Sequence, residues 1–98
     1  MKAIILHRVR PAVLEAAQWY EDQRPCLGGE FLAAVDAAVM AIVVAPYRYP
    51  VVYKDARRAQ LERFPFGVFY VLRHDTIYVF SVSHLHCNPR KWQRAKPK

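Results

Sequence analysis

Five residues in the second half of this chain carry side chains suited to chemistry on a phosphodiester: Arg58, Arg63, Arg73, His84 and His86. A guanidinium grips phosphate oxygens through forked N–H donors and keeps its charge throughout the physiological range. An imidazole titrates near neutrality and can take or give a proton. Cutting RNA through its own 2′-hydroxyl needs a base for that hydroxyl, an acid for the departing 5′-oxygen, and fixed positive charge on the pentacovalent phosphate. Arg63 and Arg73 are the candidates for a phosphate clamp. His84, and after it His86, are the candidates for proton transfer. Arg57, Arg58, Tyr70, Arg90 and Lys91 are candidates for contact with a nucleic acid, Tyr70 by stacking on a base or assisting proton transfer. Five of them have a plainer alternative: solvated strand ends for Arg57 and Arg58, edge charges that discourage sheet-to-sheet pairing for Arg63 and Arg73, and core packing for Tyr70.

These residues belong to a pronounced asymmetry of charge. From Pro46 to Lys98 there are eleven lysines or arginines against Asp55, Glu62 and Asp75, a net of +8, whereas Met1 to Ala45 nets −1. A single-sign field of this kind attracts polyanions, so phosphate-rich nucleic acid or an acidic protein segment is the expected partner.

A chain of 98 residues, 54% hydrophobic and 23% charged, is sized for one globular domain with one core. The apolar run at Ile4–Leu6 is too short for a secretory signal, and Pro46 cuts off the longest apolar stretch, Ala33–Ala45, so neither export nor a membrane span is expected. A cytoplasmic protein follows, with Cys26 and Cys87 as free thiols. His84, His86 and Cys87 invite a metal reading, but no further ligand cluster accompanies them, and no cofactor motif occurs.

The elements that must position these side chains are legible from periodicity. Lys2–Arg8 is expected to be a first strand. A helix should begin near Pro11, with Val13, Ala16, Ala17 and Tyr20 on its inner face, and stop at Pro25. Gly28-Gly29 is read as a turn into a second, more buried helix striped by Phe31, Val35, Ala38 and Ile42. The segment around Pro46 and Pro50 crosses to the sheet. Three strands should follow: 57–63, with Ala59 and Leu61 opposite Arg58, Gln60 and Glu62, then 66–73 and 76–83, joined by a tight turn at His74-Asp75. The tail is expected to fray beyond Trp92, over residues 93–98, with Trp92 packing onto the sheet. The fold class is α+β, in the order β-α-α-β-β-β, with a helical hairpin on one face of a small, mostly antiparallel sheet.

Three stretches in that order carry a resemblance. They are the helical hairpin ending at Ala45-Pro46, the run Arg57-Arg58-Ala-Gln-Leu-Glu-Arg63-Phe-Pro-Phe-Gly-Val-Phe-Tyr70, and the ending His84-Leu-His-Cys-Asn-Pro89-Arg-Lys-Trp92. The chain resembles the RelE/ParE superfamily, the toxins of bacterial type II toxin–antitoxin pairs, over Ile4 to Trp92. The resemblance implies a growth-inhibiting protein of one of two kinds. RelE-like toxins cleave messenger RNA in the ribosomal A site; ParE-like toxins block DNA gyrase without being nucleases. Many nuclease members carry a tyrosine near the carboxyl terminus, whereas nothing after Tyr78 here is a tyrosine. The proton-transfer work would then fall to His84 or His86.

The expectation is a toxin acting by ribosome-dependent mRNA cleavage, with gyrase inhibition and a harmless basic nucleic-acid-binding module as alternatives. The resemblance also implies an acidic antitoxin, disordered until it folds across the helices and sheet in a hetero-oligomer.

Overall fold

The computed structural model describes all 98 residues. The chain runs β1 (Lys2–Ile5), α1 (Val9–Gln23), α2 (Leu27–Val44), β2 (Val51–Tyr53), β3 (Ala56–Gln60), β4 (Phe66–Arg73), β5 (Thr76–His84) and α3 (Arg90–Ala95). The five strands form one sheet in the order β1-β5-β4-β3-β2. β1 lies parallel to β5 and every other pairing is antiparallel, giving the α+β fold with a mostly antiparallel sheet.

Strand alternation sends side chains to two different cores. Toward the α1–α2 hairpin, Ala59, Val68, Tyr70, Ile77, Val79 and Val82 meet Val9, Ala17, Phe31, Val35 and Ile42. On the opposite face, Ala56, Phe69, Val71 and Phe80 are covered by Trp92 of α3. Trp92 stacks on Phe69 with ring centroids 4.3 Å apart, as expected of a tail-packing tryptophan. A register shift between Phe69 and Tyr70 inserts an extra residue into β5 and keeps both faces apolar along its length.

Four features depart from the sequence expectation. Gly28 and Gly29 lie inside the first turn of α2, and the tight turn before it is made by Cys26 in the left-handed region, φ 72°. Gly28 serves helix packing: a Cβ there would sit 2.5 Å from the Ala17 carbonyl oxygen. β2, too short to show periodicity, lies on the sheet edge. The tail is docked, with α3 running to Ala95 and the Lys96 ammonium bonded to Asp55 at 2.8 Å. Finally, α2 reaches 18 residues with mean hydropathy 1.9, long and apolar enough by composition to cross a membrane. Here it buries Phe31, Val35 and Ile42 against the sheet.

The His74-Asp75 turn forms as read. Arg73 pairs with Thr76 across it, and both turn residues have positive φ, 50° and 59°, which suits the right-handed twist of the flanking strands.

Candidate functional site

The candidate cations do not converge. Arg63 lies in the β3–β4 connection and Arg73 at the far end of β4. Seven strand steps from Phe66 to Arg73 separate those ends by about 23 Å, so the two guanidinium groups cannot clamp one phosphate. Each also has a carboxylate of its own. Arg63 donates to Glu30 at 2.9 Å, and Glu30 takes a second contact of 2.9 Å from Arg24. These two arginines, Arg63 first, hold the Glu30 carboxyl below its usual range. Arg73 pairs with Asp55 at 2.5 Å, in a cluster completed by Lys96. Asp55 is lowered to about 2, chiefly by the hydrogen bond from Lys96 and further by Arg73, against the opposing effect of its partial desolvation.

Two of the expected nucleic-acid contacts are structural. Arg57 faces the helical layer and donates to the Tyr49 carbonyl at 2.6 Å and the Tyr47 carbonyl at 3.3 Å, with its guanidinium over the Tyr47 ring. Tyr70, its cross-strand partner, is fully buried and donates its hydroxyl to the Pro46 carbonyl at 2.6 Å. Burial pushes this phenol up to about 12. Both residues fasten the crossover from α2 to β2. The sequence could not distinguish this from surface function, because an arginine beside a tyrosine reads the same in either role.

His84 ends β5 opposite Phe66, whose ring lies 5.2 Å from the imidazole. It is partly exposed, and its Nδ1 accepts the backbone N–H of His86 at 3.1 Å. The proton of the neutral ring therefore sits on Nε2. The two imidazoles are 5.5 Å apart, so they form a real pair. Their surroundings on the helical side are aromatic: Phe66 packs on Phe31 and Tyr20. Arg73 is remote from them, at the opposite end of the sheet.

Arg58 lies on the other face, across from Phe69, with its stem laid over Gly67. Arg90 and Lys91, exposed at the start of α3, belong to the helix that covers this same face. Arg58 thus shares a sheet face with α3, while Arg63, bonded to Glu30 of α2, lies on the helical side, as does His84 beside Phe66. The sequence expectation that Arg58 opposes Ala59 and Leu61 holds.

Apolar surface supplies the other feature. On α2, Ala33, Ala37, Met40 and Val44 recur at four-, three- and four-residue steps, which places them on one ridge facing away from the sheet. Met40 is 70% and Val44 85% exposed. Beside that ridge, Ala34, Ala38 and Ala41 line a groove of about 430 Å³ whose opposite wall is Tyr49, Ala59 and Gln60, with Glu30, Glu62 and Arg63 at one end. No family model matches the chain, and no curated protein matches it.

Proposed function

We propose that this chain is the toxin half of a type II toxin–antitoxin pair, held by an acidic antitoxin and acting in the cytoplasm. The single observation that carries the reading is the outward ridge of α2. A surface helix ordinarily turns polar residues to water; this one presents Ala33, Ala37, Met40 and Val44. Such a face suits a domain that spends its life covered by a partner. The chain's net charge of +7 sets the partner's sign, since electrostatic complementarity favours an acidic segment. The resemblance of the hairpin, the Arg57–Tyr70 run and the His84–Trp92 ending supports the class.

For the toxic act, the reading supported best is occupation of a target protein, as ParE-like toxins occupy gyrase, without RNA cleavage. What supports it is the separation of Arg63 from Arg73 and their neutralisation by Glu30 and Asp55. The test is induction of the gene without its neighbour, followed by separate measurement of replication and translation. Arrest of replication with accumulated cleaved DNA–gyrase complexes is expected; codon-spaced cuts in intact cells' messages, abolished by His84→Ala, would replace it with the nuclease reading. That second reading is favoured by one observation, the partly exposed His84–His86 pair. An acidic reading frame adjacent to the gene, whose product binds the purified chain, tests the pairing itself.

A further inference from the structure

The register shift in β5 opens the sheet face beneath the helical hairpin. Val79 pairs with Tyr70 and Ser81 with Phe69, so Phe80 is the extra residue. Phe69 and Phe80 both belong to the core under α3, and Ser81, directly across from Phe69, shares that face. Two consecutive side chains of β5 are therefore turned away from the hairpin. On the hairpin side Val79 is followed only by Val82, three positions on, where regular alternation would supply a side chain at the second. The row has a gap.

A cleft of about 260 Å³ reaches that gap from between the helices. Its lining includes Val79 and Val82 of β5, Val9 and Val13 of α1, and Val35 and Val39 of α2. Valine carries a short, branched side chain, and six of them around one space leave it unfilled. The lining is otherwise apolar except at Arg10 and Asp36, one on each helix, both exposed. Leu14, one turn beyond Arg10 and 60% exposed, borders the same opening. Neither Arg10 nor Asp36 enters any of the ion pairs of the fold. One cation and one anion, both uncommitted, thus border an apolar interior.

We infer that this cleft binds a free α-amino acid with a large apolar side chain. Its carboxylate meets the Arg10 guanidinium, its ammonium meets the Asp36 carboxylate, and its side chain enters between the valines. Small-molecule sites are built in this way, from apolar walls with a few polar groups that fix orientation. The charges select among apolar ligands. A fatty acid would satisfy Arg10 and leave Asp36 without a partner, and an internal peptide segment would satisfy neither. Size agrees: a cavity of about 150 Å³ takes benzene, so the 260 Å³ here accommodates a side chain from leucine to phenylalanine. The site stands apart from the toxin reading, and either outcome for toxicity leaves it intact.

The experiment is titration of the full chain with L-leucine and L-phenylalanine while the valine methyl resonances are followed by NMR. Saturable shifts at Val79 and Val82 are expected, with Val52 and Val71, which belong to the opposite core, unmoved. Isocaproate lacks leucine's ammonium and isoamylamine lacks its carboxylate; each should bind about tenfold more weakly, the worth of one charge-assisted hydrogen bond. Arg10→Gln should weaken leucine and isocaproate but not isoamylamine, and Asp36→Asn should weaken leucine and isoamylamine but not isocaproate. Both positions are exposed, so the variants keep the fold. Valine methyls indifferent to both amino acids at millimolar concentration overturn the proposal, and this arm needs no variant. Equal binding of leucine, isocaproate and isoamylamine also overturns it, since the cleft would then take apolar matter without reading the charges.

Discussion

The Tyr70 hydroxyl donates to the Pro46 carbonyl at 2.6 Å, while its cross-strand partner Arg57 reaches the Tyr47 and Tyr49 carbonyls. Together they tie the middle of the sheet to the segment leaving α2. Tyr70→Phe should cost about 1 kcal/mol, the ordinary net worth of such a bond, by urea denaturation. A pH signature accompanies it. Because the folded phenol titrates at about 12 against an ordinary 10, the unfolded chain loses that proton first as pH rises. Stability attributable to Tyr70 should be complete below pH about 10 and fall between about 10 and 12, and Tyr70→Phe should abolish that component. RNA affinity should be unaffected by the substitution, since the ring is enclosed.

At the other end of β4 the Asp55 carboxylate holds both Arg73 and Lys96. Its folded value of about 2 lies below the ordinary 3.8. The stabilisation is therefore present above pH about 4 and is lost as pH falls from there through about 2. Asp55 is half exposed, so solvent screening keeps the contribution small. The informative readout is local: the protection factors of the α3 amides, taken against intrinsic exchange at each pH, should fall across that interval in the parent. In Asp55→Asn they should be low already at neutral pH and change little with acid.

Gly28 gives a sharper test of the helical hairpin. An added methyl would lie 2.5 Å from the Ala17 carbonyl oxygen, a backbone atom that cannot rotate aside. Gly28→Ala should destabilise by about 1–3 kcal/mol, the usual range for overpacking, despite alanine's better helix propensity. Gly29→Ala is the control. Nothing lies within 4 Å of its added Cβ, so propensity alone should raise stability by about 0.5–1 kcal/mol. Thermal or urea unfolding of the pair decides whether close approach, rather than turn formation, requires the glycine.

Much of this architecture was legible because periodicity and punctuation act locally. The stripe Phe31, Val35, Ala38 and Ile42 on α2, the alternation about Ala59, and the tight turn at His74-Asp75 all formed where the pattern placed them. What stayed hidden depends on contacts between distant residues. Lys96 looks like the end of a basic tail until Asp55, 41 positions earlier, is brought beneath it. Gly28 reads as a turn until Ala17 is seen against it. Strand parity could group Arg58 with Gln60, but it could not show that Arg63 and Arg73 each meet a carboxylate, Glu30 and Asp55.

The ridge on α2 yields the remaining prediction. Met40 and Val44 are largely exposed, so replacing them changes little inside the fold. Met40→Lys and Val44→Lys should each alter unfolding free energy by no more than about 0.5 kcal/mol. If the ridge is a covered face, the double variant should lose at least tenfold in affinity for the acidic product of the adjacent reading frame. Removing apolar contact would outweigh the electrostatic gain from two added lysines, because exposed charges contribute little while a buried methionine or valine contributes about 1.5–3 kcal/mol. Calorimetry separates these terms. Apolar burial gives a negative heat-capacity change on binding, which should shrink in the double variant, whereas an electrostatic interface would bind the added lysines more tightly and lose that gain in salt.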